Sequence, residues 1–227
     1  MTRGFDDRRD WASTMHREWL EPAMAAYWDV SPAAIQPMFS DAADAITADA
    51  AGGIDAIVQT RGAAPVFVAQ RVRTMRAFRG SCYRPDFSLR EQTSTGDASE
   101  FVRLMDAYRT GRDLPSCYLF GIGVATSRRA CVDDGLAALY WIDTREMMAS
   151  IDAGQLEGER HRSDTGERTR YYRIEELRQS DCIIAEASGR DLDSVYRENV
   201  PLEPGFPQAE PGVQTGKTRL QDFHTST

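Results

Sequence analysis

Three residues able to do chemistry on a phosphate lie in the stretch from Gly52 to Arg90. Asp55 closes the triplet Gly53-Ile54-Asp55, and Gln70 and Arg71 sit near the end of the apolar run that starts at Val66. Cleaving a phosphodiester needs a divalent metal held by carboxylates and carbonyls, a water activated beside it and a cation to steady the developing charge. A compact way to build this sets one acid on a strand, with a second acid and the cation on the neighbouring strand. Asp55 supplies the first acid, and Gln70-Arg71 stand where the second acid and the cation belong. The second strand thus offers an amide in place of a carboxylate. Alternation also separates the pair, because Gln70 shares a face with Val68 and Val72 while Arg71 shares one with Ala69 and Arg73. A Gln carbonyl can ligate Mg²⁺ but brings no charge, so either Glu18, Asp41, Asp44 or Asp49 compensates or the site is degenerate.

The same stretch is rich in arginine. From Arg61 to Arg90, Arg61, Arg71, Arg73, Arg76, Arg79, Arg84 and Arg90 face a single acid, Asp86, so that segment carries about +6 in a chain whose formal net charge is -8. Lys217 is the only lysine. A guanidinium grips phosphate oxygens in pairs, so this local reversal points to a polyanion, with DNA as the expected partner contacted by Arg61, Arg73, Arg76, Arg79 and Arg84. The competing explanation is a solvated face that balances the acidic helices, with Asp55 as a strand-end acid and Gln70 as a hydrogen-bonding sheet residue.

The elements that must position these residues follow from periodicity. Residues 6–51 read as an N-terminal helical segment: an amphipathic helix over 6–29 interrupted by Pro22, a short helix over 31–39 and an Ala-rich helix ending at Gly52-Gly53. Strand character then takes over at 54–60 and 66–73, joined by a turn with Gly62 and Pro65, and again at 86–91. A capped helix is expected over 99–110, central strands at 117–124 and 137–142, and a helix over 143–153 opened by Asp143. Residues 158–170 read as a polar connector, 171–174 as a short strand, 175–178 as a helical turn and 181–187 as the last apolar run. The expected fold is α/β or α+β, a mixed central sheet flanked by helices, forming one domain over 1–190. Residues 191–227, rich in Pro and Gly, read as a disordered tail.

Composition narrows the function classes. With 41 % apolar residues and no long apolar run the chain can build a core but not a membrane span, so no membrane partner is expected. The charged first twenty residues do not resemble a secretory signal, which places the expected location in the cytoplasm. Oligomeric state is open, a homodimer being compatible. Four cysteines without a CxxC pair and three scattered histidines argue for free thiols over zinc or disulfides. His16 reads as a surface residue and Trp19 as core, and Tyr171-Tyr172 beside Arg170 and Arg173 can either stack on bases or pack in a sheet.

The triplet Gly53-Ile54-Asp55, the strand ending Ala69-Gln70-Arg71-Val72-Arg73, and the following DFSLR, SEFVRL, YLFGIG and ALYWID together resemble the compact nucleases of the PD-(D/E)XK superfamily. The likeness is to small phage and archaeal members, in which a Gly-Ile-Asp strand precedes one ending in Gln-Glu-Arg or Gln-Glu-Lys. It spans about residues 40 to 185. It implies a restriction-endonuclease-like fold and Mg²⁺- or Mn²⁺-dependent cleavage of DNA, with Asp55 as metal ligand joined by Gln70, and Arg71 as catalytic cation with Arg73 as the other candidate. Where those relatives carry Gln-Glu-Arg, this chain carries Ala69-Gln70-Arg71. That departure opens the alternative of a catalytically inactive nuclease-fold protein that binds nucleic acid or serves a structural role in a phage or mobile element.

Overall fold

In the computed structural model residues 10–38, 53–74, 86–97, 99–125 and 127–188 are described. The chain enters through a helical turn at residues 10–15, a π-helical turn at His16–Leu20 and helix α1, Glu21–Tyr27. Pro22 explains the widened turn, because proline in α1's first turn has no N–H to return to the preceding turn. Met15, Leu20 and Met24 are fully buried along this stretch and form its inward stripe.

Six strands make the larger sheet: β1 (Ile35–Pro37), β2 (Ala56–Val58), β3 (Val66–Arg73), β5 (Cys117–Gly123), β6 (Leu136–Asp143) and β9 (Ile183–Ser188), in the order β1-β2-β3-β5-β6-β9. Neighbours are antiparallel except β3 and β5, which run parallel. A parallel pair needs a long crossover. Here it passes through β4 (Asp86–Gln92) and helix α2 (Glu100–Thr110). β4 lies outside the larger sheet and forms an antiparallel three-stranded sheet with β8 (Arg168–Arg173) and β7 (Glu159–Arg162), in the order β4-β8-β7.

Every residue of β5 is buried, as expected of a strand covered on both faces. One face, with Leu119, Val68 and Trp141, packs on Met15, Leu20 and Met24 and on helix α3 (Arg128–Asp134) through Cys131. The other, with Tyr118, Phe120 and Tyr140, packs on Phe87 and Leu89 of β4, Tyr172 of β8, Leu104 of α2, Met147 of helix α4 (Thr144–Asp152) and Leu177 of helix α5 (Ile174–Gln179). The architecture is mixed α/β, with helices on one face of the larger sheet and helices plus a second sheet on the other. Among the described residues no helix is long and apolar enough to cross a membrane.

Several expectations change. The helix expected over 31–39 is a 3₁₀ turn, Pro32–Ala34, followed by strand β1, which pairs Ile35 with Val58. Pro37 suits an edge strand, where its missing N–H leaves no ladder bond open. The connector over 158–170 is largely strand, since β7 and β8 form a hairpin around Ser163–Glu167. Helix α3 was not anticipated. Ser127 caps it by accepting from the Ala130 N–H at 3.2 Å, and Gly135 ends it at φ +89°. The Ala-rich helix and the expected tail lie outside the described residues.

Candidate functional site

Asp55 is locked to the main chain on both sides of β2. Its N–H donates to the Val68 carbonyl at 2.9 Å, and its own carbonyl accepts from Met38 N–H at 2.9 Å. Its carboxylate Oδ2 accepts from the Gln70 main-chain N–H at 2.5 Å. The Gln70 side chain goes elsewhere: it is buried, with Nε2 donating to Met24 Sδ at 3.6 Å on the face covered by the N-terminal helices. Asp55 and Gln70 therefore meet through backbone, and the Gln70 carboxamide is not presented beside the Asp55 carboxylate.

Arg71 points to the opposite face, toward the second sheet. Its Nη1 donates to the Ser88 carbonyl of β4 and its Nη2 to Glu100 Oε2 at 2.5 Å, with the guanidinium 5.7 Å from the Phe87 ring centre. The other oxygen of Glu100 accepts from Tyr118 OH at 2.7 Å. Burial alone would lower the Arg71 pKa, but the Glu100 carboxylate, helped by Tyr118 and Asp55, raises it above its ordinary value. Burial, then the Glu100 charge, pushes the Tyr118 phenol well above its usual range, so it stays a neutral donor. Asp55 adds to both fields and thus belongs to the same electrostatic cluster.

These groups line a cleft of about 520 Å³. Asp55, Glu100 and Glu167 stand against Arg71, Arg90 and Arg103 on its walls, with hydroxyls from Ser88, Ser99, Thr169 and Tyr171. The charges balance. Among the described residues no group of three or more His, Cys, Asp and Glu is placed to hold a metal ion. The oxygen donors that suit a hard divalent cation are the two carboxylates of Asp55 and Glu100. The Gln70 amide, across the sheet, does not fit that set.

Three arginines of the trail meet acids, two of which lie outside the segment. Arg71 pairs with Glu100, Arg73 with Asp86 and Arg90 with Glu167. Arg73 also donates to the Asp86 carbonyl at 3.3 Å and lies 5.6 Å from the Tyr171 ring centre. Arg61 is exposed in the β2–β3 turn. Arg76, Arg79 and Arg84 lie outside the described residues, as do Asp41, Asp44 and Asp49.

The remaining candidates separate cleanly. Glu18 is exposed and pairs with Arg17 at 3.0 Å on the N-terminal π turn. His16, expected at the surface, is buried, and burial pushes its imidazole down to about 4, so it is neutral at pH 7. It shares a helix face with the buried Leu20 and Ala23, four and seven residues on. Trp19 packs against Gly135 and donates from Nε1 to the Val132 carbonyl at 3.3 Å. Tyr172 is fully buried in the core, whereas Tyr171 borders the cleft. Cys117, Cys131 and Cys182 are buried free thiols.

Glu100 is the cleft residue that no sequence motif singles out. A signal is present nonetheless: Glu100 lies four residues before Leu104, at the rim of the apolar stripe of α2, where a carboxylate needs a partner. Comparison with protein families, with characterised proteins and with solved structures finds no match.

Proposed function

We propose that the protein binds nucleic acid with a nuclease-like cleft that does not cut. The observation behind this reading is the engagement of Arg71, whose two terminal nitrogens are directed to the Ser88 carbonyl and to Glu100. A cation that stabilises a phosphoryl transition state needs its fork turned to the phosphoryl oxygens. Arg71 instead joins the two sheets. The other two candidate groups, Asp55 and Gln70, are tied, respectively, to backbone and to the opposite core. Polar groups on the cleft walls, among them the Arg90 and Arg103 guanidiniums and the hydroxyls of Ser99 and Thr169, are of the kinds that make backbone phosphate contacts carrying no chemistry.

A second reading, a metal-dependent DNA phosphodiesterase, is favoured by one feature: Asp55 and Glu100 flank the same cation. In that reading Asp55 and Glu100 hold Mg²⁺ or Mn²⁺, which supplies an activated water and neutralises charge on the phosphate. Arg71 then holds Glu100 in place, and Tyr118 fixes the carboxylate's orientation.

Incubating wild type, Asp55→Asn and Glu100→Gln with labelled single- and double-stranded oligonucleotides, with and without Mg²⁺ or Mn²⁺, separates the two. Binding without cleavage in all three supports the first reading. Metal-dependent cleavage by wild type that both substitutions abolish supports the second, and absence of both binding and cleavage removes both.

A further inference from the structure

The β7–β8 hairpin carries an arginine ladder. Arg160 stands directly opposite Arg170, and Arg162 directly opposite Arg168. Alternation puts all four on one face. Like charges directly opposite one another destabilise a strand pair, so pairing energy does not account for this arrangement. The inner rung is compensated: Glu91 accepts from Arg170 and lies 3.5 Å from Arg160. Arg170 also stacks 4.2 Å from the Phe101 ring centre, which anchors that rung to the core.

The outer rung is different. Arg162 and Arg168 are exposed and front a groove of about 620 Å³ bordered by Gln92, His161 and Val102, in which Glu91 is the only acid among the described residues. Among the described residues neither Arg162 nor Arg168 is joined to a carboxylate. Two guanidinium forks side by side, with the Gln92 amide opposite Arg168 on the same face, form a surface suited to phosphate oxygens. We propose that the Arg162–Arg168 rung is the main phosphate-backbone contact for a nucleic acid, an inference that rests on the nucleic-acid reading above. The rung sits at the end of the second sheet. The same hairpin sends Thr169 and Tyr171, from its opposite face, into the Asp55–Arg71 cleft, so the rung and the cleft lie on opposite faces of the smaller sheet.

The test is fluorescence anisotropy of a labelled oligonucleotide over a salt series, with wild type, the pair Arg162→Gln/Arg168→Gln, the charge-keeping pair Arg162→Lys/Arg168→Lys, and a charge-matched control, Arg129→Gln/Arg145→Gln. The Gln pair is expected to reduce the log–log salt slope by about 2, one phosphate contact per arginine removed. The control and the Lys pair should keep the wild-type slope. Because the Gln pair removes a like-charge opposition, its melting temperature should equal or exceed that of wild type. Wild-type slope in the Gln pair, with wild type binding well, removes the ladder and leaves the nucleic-acid reading intact. Failure of wild type to bind any oligonucleotide removes that reading and this one together. Ladder-dependent binding only to phosphatidylserine vesicles overturns the proposal in favour of a lipid surface.

Discussion

Asp55 Oδ2 accepts the main-chain N–H of Gln70 at 2.5 Å, while the Gln70 side chain turns through the sheet to Met24. Two residues that the sequence pairs as metal ligands are thus paired by backbone. The carboxylate satisfies an N–H in the middle of β3, close to where β2 begins, and so helps fix the register of the strand that also carries Arg71.

Replacing Asp55 separates this role from chemistry. Asp55→Ala leaves the Gln70 N–H without its acceptor and should destabilise by roughly 1–3 kcal/mol. Asp55→Asn keeps an acceptor oxygen and should lose less than about 1 kcal/mol. Urea denaturation of the two variants checks this; equal losses would show that the carboxylate's charge, and not the hydrogen bond, is what matters.

Arg71→Met should destabilise by roughly 2–3 kcal/mol, because it leaves Glu100 partly buried with Tyr118 as its hydrogen-bond partner. The figure is below that of a fully buried pair because 28 % of the Arg71 side chain is exposed. In Arg71→Met/Glu100→Met the stranded charge is gone, so the double variant should be more stable than the two single losses summed. A double-mutant cycle reads the coupling directly, and additive losses would argue against the pair.

His16 should give the fold a pH dependence. Its imidazole is pushed down to about 4 in the folded chain, against an ordinary value near 6.5 when unfolded, so the unfolded chain binds the proton more readily. Stability from this group is therefore complete above about pH 6.5, declines as pH falls toward about 4 and then levels, a total of about 3 kcal/mol. His16→Leu should remove that slope. Denaturation midpoints of wild type and variant between pH 4 and 7 test it, parallel curves ruling it out.

Gly135→Ala addresses the junction between α3 and β6. A Cβ there would lie 2.4 Å from the Trp19 ring, at a φ of +89° that L residues resist. Overpacking and backbone strain together should cost about 2–4 kcal/mol. Reduced near-ultraviolet dichroism from Trp19 with a lowered melting temperature is the expected result, and an unchanged melting temperature would show that the indole can move aside.

The parts of the fold that sequence made legible are those with a clear period. Alternation along Val66–Arg73 places Gln70 and Arg71 on opposite faces, and the structure bears that out. The apolar runs of β5 and β6 and the cap on α4, where Asp143 accepts from Glu146 N–H at 2.9 Å, were equally readable. Strand β7, Glu-Arg-His-Arg, was not, because it is exposed throughout and carries no apolar stripe. The ion pairs of Arg71 and Arg90 were hidden for a related reason. Their neutralising acids Glu100 and Glu167 come from outside the counted window, and proximity in space is not visible in a one-dimensional charge count. DFSLRE was recognised as a strand, but membership in one sheet or another depends on long-range pairing with β8, which no local pattern encodes.

The outer strand of a sheet offers open backbone groups to any extended chain that meets it, and proteins must hide such edges to stay dispersed. β4 is an outer strand of the smaller sheet. Its Asp86 and Ser88 carbonyls, two residues apart, are taken by Arg73 and Arg71, likewise two apart on β3. The arginines thereby cover two of the carbonyls along that edge. Removing both would do more than loosen the contact between the sheets, since it would leave those two carbonyls of an outer strand without their donors.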